Sequence, residues 1–182
     1  MDTRVNTKIF LKTVFLFPLF MIFIMFPLCV LIVITAFLPK GRVLATKLYE
    51  FFGWIGIVLV GVELNIIGAE KIDPKKSYVV IGNHPSTLDI FTHITALPVS
   101  IRFLTKTELF RIPIFGRVLK TLGLPRIDRK NAKANFEKIN DSINQVIKLG
   151  NSIMIFPEGK RSNQKELLPF KKGAAYLSLI HI

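Results

Sequence analysis

His84 and Asp89 stand five residues apart in the stretch Ile81-Gly82-Asn83-His84-Pro85-Ser86-Thr87-Leu88-Asp89. An imidazole takes a proton from a hydroxyl near neutral pH, and a carboxylate beside it fixes its tautomer and stabilises the imidazolium that forms. The pair therefore reads as a general base and the group that orients it. Such a spacing also arises by chance, so its weight depends on what lies elsewhere. A second stretch, Ser152-Ile153-Met154-Ile155-Phe156-Pro157-Glu158-Gly159-Lys160-Arg161-Ser162, runs from an apolar strand into a loop carrying both signs of charge. Two loops at the carboxyl ends of neighbouring strands can build one centre.

The elements that must position these loops follow from pattern. Residues 78–81 form a continuous apolar, β-branched run, suited to a strand covered on both faces. Ser86 or Thr87 then caps a helix over residues 88–97, which puts Asp89 in its first turn beneath His84. Residues 100–105 read as the next strand. A turn at residues 112–116 leads into a short helix stopping near Gly123, and residues 124–127 form another short strand. The strongest helical pattern covers residues 134–149, with Phe136, Ile139, Ile143, Val146 and Ile147 on one stripe and Gly150 just past the end. A strand over residues 152–156, the Glu158 loop and a helix over residues 172–179 complete the series. Strand and helix alternating at this spacing predict an α/β fold with a mostly parallel sheet flanked by helices. A helix at this point normally feeds another strand, so the sheet is expected to be incomplete at its C-terminal side.

Ahead of this domain, residues 14–38 carry no charge. A helix of that length exceeds the roughly 30 Å core of a bilayer. Pro18 and Pro27 interrupt it, which allows a kinked, tilted or re-entrant helix as well as a straight span. A second apolar stretch, residues 51–62, holds Trp54 and three glycines. It completes a membrane-associated helical hairpin or serves as the first core helix of the soluble domain. The expected division is a membrane-associated segment over residues 1–68 and a catalytic domain over residues 69–182.

The formal net charge is +13, and residues 69–182 hold 19 Lys and Arg against 9 Asp and Glu. A basic domain tethered at a bilayer is drawn to anionic lipid at about 1 kcal/mol per nearby cation. Lipid is thus the expected partner and nucleic acid is not, since neither zinc-finger spacing nor an RNA-binding aromatic signature is present. The lone Cys29 excludes an intrachain disulfide and a multi-thiolate metal site. With a hairpin both ends face one side, taken as the cytosol because the rest of the chain is basic. Arg117, Lys120, Arg126, Arg129, Lys130 and Lys133 cluster around Asp128, and most of them read as a solvated face.

Four blocks now stand in order: Asn83-His84 with Asp89 five residues on; Lys106, Leu109, Pro113, Gly116, Gly123 and Arg129; Phe156-Pro157-Glu158-Gly159-Lys160-Arg161-Ser162; and Phe170-Lys171-Lys172-Gly173-Ala174. Together they resemble the glycerolipid acyltransferase family, above all its 1-acyl-sn-glycerol-3-phosphate acyltransferases. The resemblance implies that His84 deprotonates the free hydroxyl of a lysophospholipid attacking an acyl thioester, with Asp89 orienting it, the substrate supplying the nucleophile. It implies acceptor contacts from Lys106, Arg129, Glu158, Gly159 and Arg161, the arginine able to grip a phosphate bidentately and Glu158 positioning the cations. The co-substrate would be acyl-CoA or acyl carrier protein, with no cofactor and no metal. Lys160 departs from the Thr common in the third block. The family's last block, a proline-containing strand after the Gly173 helix, is not reached by Ile182, so the catalytic domain is expected to be truncated.

Other readings of these residues are an acyltransferase for another lysophospholipid or lyso-aminolipid, a non-catalytic lipid-binding module, and a hydrolase using Ser86 with His84. The last lacks the Gly-x-Ser-x-Gly elbow. His93 and His181 read as structural or surface residues.

Overall fold

A computed structural model describes residues 15, 18–128, 131, 134–161 and 167–172. Its central layer is a three-stranded parallel sheet in the order β1 (Val79–Ile81), β5 (Ser152–Ile155), β2 (Ile101–Phe103). Val79 pairs with Ile153 and Ile81 with Ile155 on one side of β5; Ile101 pairs with Ser152 and Phe103 with Met154 on the other. All four residues of β5 are buried, as a strand with neighbours on both edges and helices on both faces requires.

The stretch expected to be one strand over residues 100–105 divides. Leu104 N–H still bonds Met154 O at 3.2 Å, but Thr105 N–H turns to Pro125 O at 2.9 Å. This change of partner starts a separate parallel pair, β3 (Thr105–Lys106) with β4 (Arg126–Ile127). Which partner waits beyond Leu104 depends on chain that is twenty residues away, so no local pattern announces the break.

One face of the sheet is covered by α5 (Phe136–Lys148). Its Ile139, Ile143 and Val146 are buried against Ile153 and Ile155, with Phe136 and Ile147 at the margin, and Gly150 at φ 74° ends it. The opposite face meets α3 (Asp89–Ala96) and α4 (Phe115–Thr121), and behind them two apolar helices, α1 (Phe26–Thr35) and α2 (Gly41–Val60). A five-residue π-helical turn, Met21–Met25, runs into α1 just before Pro27. Proline has no N–H to return to the carbonyl four residues back, and a local widening of the helix absorbs that loss.

Both apolar helices, Pro18–Thr35 and Gly41–Val60, are long and apolar enough to cross a membrane, and most of their surface is unburied. α2 starts ten residues before the apolar run read from sequence, because Arg42, Lys47 and Glu50 belong to the same helix. Its contact with α3 depends on glycine. A Cβ on Gly53 would lie 2.4 Å from Ile94 Cγ2 and one on Gly56 2.1 Å from Phe91 Cδ1. A single core cluster holds Leu28, Cys29, Ile32, Ala45 and Tyr49 of the hairpin together with Ile94 of α3, Val99 ahead of β2, and Ile101, Phe103 and Met154 of the sheet.

Arg102 fastens the same junction. Its guanidinium, 2% exposed, donates to Leu122 O at 2.8 Å, Ser100 Oγ at 2.9 Å, Ile101 O at 3.0 Å and Thr46 Oγ1 at 2.7 Å, and lies over the Tyr49 ring. The helix expected over residues 172–179 lies outside the described residues apart from Lys172.

Candidate active site

The loop after β1 is closed by a reciprocal cap. Ser86 Oγ accepts the Leu88 N–H at 3.1 Å while Asp89 Oδ2 accepts the Ser86 N–H at 2.9 Å, a capping box with Asp89 as its acidic member. That geometry turns the carboxylate back over the loop. The same oxygen then stands 2.6 Å from His84 Nδ1, with the two side chains 18% and 10% exposed. The five-residue spacing is thus the distance from a loop residue to the first turn of the helix that follows. Nδ1 engaged by the carboxylate leaves Nε2 as the nitrogen available for proton transfer.

Two groups from the third block hold His84 from other directions. Its ring stacks on Phe156, centroids 4.0 Å apart and planes 11° from parallel; Phe156 in turn meets the edge of His93 at 5.6 Å. The in-plane bond to Asp89 and the face-on contact with Phe156 together fix both side-chain torsions of His84. Glu158, 4% exposed, accepts the backbone N–H of His84 through Oε1 and that of Leu168 through Oε2, each at 3.1 Å. The hydrogen bonds described for Glu158 therefore go to backbone, tying the His84 loop to the segment around Leu168.

Gly159 turns the chain at φ 70°, and a Cβ there would come within 2.7 Å of Lys171 Nζ, so the ammonium of the fourth block lies against the third. Arg161 is exposed and donates through Nη1 to Thr87 Oγ1, which brings a guanidinium beside the His84 loop. Lys106 is exposed at the end of β3, and Arg129 lies outside the described residues. Ser86 Oγ is occupied by the Leu88 N–H, and among the described residues no hydrogen bond joins it to His84. His93 Nδ1 stands 2.5 Å from Asp89 O, one helical turn back.

Sequence reasoning did not find the roles of Phe156, Thr87 or the Leu168 N–H. All three depend on contacts more than sixty residues apart or between backbone and side chain. The one local hint was the position of Phe156, directly after β5 and before Pro157.

A family model described as acyltransferase matches residues 63–180. A 1-acyl-sn-glycerol-3-phosphate acyltransferase of Cocos nucifera is 34% identical over 142 residues, which is 78% of this chain and 46% of that protein. The protein of the same name from Limnanthes alba is 32% identical over 142 residues, 78% of this chain and 50% of that one. That of Saccharomyces cerevisiae is 34% identical over 123 residues, 66% of this chain and 40% of the other. This chain thus spans about half the length of the curated relatives it matches. The crystal structure of the 1-acyl-sn-glycerophosphate (LPA) acyltransferase PlsC from Thermotoga maritima superposes with a TM-score of 0.70 at 23% identity, covering 99% of this chain and 71% of that one. At that identity the likeness establishes the α/β fold with its two leading apolar helices.

Proposed function

The chain belongs to the acyltransferase family, and on that premise we propose that it transfers an acyl group from a thioester, acyl-CoA or acyl carrier protein, to the free hydroxyl of 1-acyl-sn-glycerol-3-phosphate, making phosphatidate. The observation that carries the reading is the 2.6 Å contact between His84 Nδ1 and Asp89 Oδ2. It presets the imidazole as a base, and a binding-only protein needs none.

The steps balance without a cofactor. His84 Nε2 takes the proton of the acceptor hydroxyl as its oxygen attacks the thioester carbonyl, and Asp89 stabilises the imidazolium. The tetrahedral adduct collapses with loss of the thiolate, which takes the proton back from Nε2. Thiolate is a good leaving group, so the reaction needs less acid assistance than amide cleavage does. Arg161, held at Thr87 beside the His84 loop, and Lys171 across Gly159 supply cations for the acceptor phosphate, with Lys106 and Arg129 as further contacts from the second block. Glu158 keeps the His84 backbone in place. In this reading the two apolar helices anchor the catalytic domain at the cytoplasmic side of a membrane, where acceptor and product both reside.

The test is turnover by the purified chain in lipid with acyl-CoA and acyl carrier protein donors against a panel of lysolipids. Lysophosphatidate should be the preferred acceptor, and His84→Ala should abolish transfer while leaving membrane association intact. Undiminished transfer by His84→Ala would remove the mechanism. Preference for another lysolipid would change the acceptor and keep the chemistry.

A further inference from the structure

Beside the open edge of β2 lies a groove of about 920 Å³ into which none of His84, Asp89, Lys106, Glu158, Gly159 or Arg161 projects. It is at the upper end of the volumes that small-molecule sites occupy. Its walls bring together Arg42 and Lys47 of α2, Arg102 of β2, Lys120 of α4, Arg126 of β4 and Lys138 of α5. Two carboxylates, Glu50 and Asp128, stand among these six cations. Lys120 and Arg126 belong to the cluster that reads from sequence as a solvated face. In the fold they meet cations from three other parts of the chain around one concavity, which solvation alone does not require.

Two of the arginines are fixed before any ligand arrives. Arg126 lies with its guanidinium 4.3 Å from the centroid of the Phe110 ring. Arg102 has four of the hydrogen bonds its five N–H groups can make, each to a neutral oxygen. Those oxygens satisfy its geometry without cancelling its charge. Glu50 acts on the guanidinium through space, and six cations against two carboxylates leave the groove net positive, a field that low-dielectric walls focus. Ordered guanidinium groups gathered with lysines around one concavity are suited to phosphate esters.

Arg102 pairs in register with Ile153, and Phe156, which stacks on His84, is three residues further along that strand. At ~3.3 Å per residue along the strands and ~4.8 Å per strand across β5, Arg102 is roughly 14 Å from the loop that carries the candidate base. An extended pantetheine arm is longer than this. We propose that the groove is a second anion site, and that it holds the phosphates of a CoA thioester while the pantetheine arm carries the acyl carbon to His84. The choice of CoA rests on the acyl-transfer reading; the existence of an anion site does not. A concave site of this size takes a nucleotide head, whereas an acidic carrier protein would need a broad basic face.

The experiment is calorimetric titration of the full chain in neutral nanodiscs with free CoA, 3′-dephospho-CoA and pantetheine, repeated for Arg126→Gln and Lys138→Gln. Both positions lie at the surface and avoid the folding risk of changing Arg102. CoA should bind, loss of the 3′-phosphate should weaken it several-fold, and each substitution should weaken it by about tenfold, the worth of one charged contact. In turnover, KM for acyl-CoA should rise more than KM for lysophosphatidate. Equal affinity of both variants and the unmutated chain for CoA would overturn the site. Raised KM for the acceptor alone would overturn it too, by assigning the cations to the lysolipid. Loss of binding to phosphatidylglycerol vesicles with CoA affinity unchanged would assign them to the bilayer, which also refutes the proposal. CoA binding that the substitutions weaken, in a chain that transfers no acyl group, would uphold the anion site and reject the acyl-transfer reading.

Discussion

Glu158→Gln separates holding from binding. The buried carboxylate accepts one backbone N–H on each oxygen, His84 and Leu168 both at 3.1 Å. Glutamine has the same length but only one acceptor oxygen, so one of the two N–H groups is left facing an NH₂ donor. A hydrogen bond to a charged group contributes about 1.5–3 kcal/mol. If that energy is what keeps the His84 loop in its productive position, its loss lowers the competent population, at ~1.4 kcal/mol per tenfold, by about 10- to 150-fold. The expected result is a fall in kcat of that size, with KM for the lysolipid changed less than about threefold and a melting temperature lowered by only a few degrees. Steady-state kinetics across both substrates and a thermal melt measure all three. Glu158→Ala is less informative, because removing both bonds costs about 3–6 kcal/mol, comparable with the stability of a whole domain. A large rise in acceptor KM with kcat intact would refute the reasoning, since that is the signature of a side chain that touches substrate in the ground state.

Asp89→Asn keeps an oxygen for the Ser86 N–H but loses the charge opposite His84 Nδ1. Turnover should fall by about 10³- to 10⁴-fold with the fold retained, judged by kcat and far-UV circular dichroism; a loss below tenfold would deny the carboxylate its orienting role. At the α2–α3 contact, Gly56→Leu should destabilise by about 1–3 kcal/mol or more, because its Cβ alone would lie 2.1 Å from Phe91 Cδ1. Val58→Leu, on the exposed side of the same helix, should stay within about 0.5 kcal/mol, and equal melts for the two would show that the glycine is not there for packing.

Several of these elements were legible in the sequence because they are local. The stripe from Phe136 to Ile147 needs only the 3.6-residue period, and the loop-to-helix spacing of His84 and Asp89 needs only a capping box. The apolar hairpin follows from composition, though α2 begins at Gly41 because charged residues in its first turns hide it from a hydropathy reading. What stayed hidden depends on distant chain. Leu104 ends one pairing because Pro125 offers the next. Arg102 carries no signal in the sequence, and it is buried because Thr46 and Leu122 arrive with oxygens. The resemblance gives Glu158 as an acceptor contact that positions the neighbouring cations, and only the fold reveals two backbone N–H groups beside it.

The glycine contact between α2 and α3 has a mechanical consequence. α3 opens with Asp89 and leans through Phe91 and Ile94 directly on the bare backbone of Gly53 and Gly56. An apolar helix in a bilayer answers hydrophobic mismatch by tilting, at a cost of fractions of a kcal/mol per Å. With α2 so placed, its tilt is levered through α3 onto the carboxylate that orients the base. In the acyl-transfer reading, turnover in nanodiscs should then vary with the chain length of the host lipids independently of the substrate's, which kinetics in host lipids of graded length would measure.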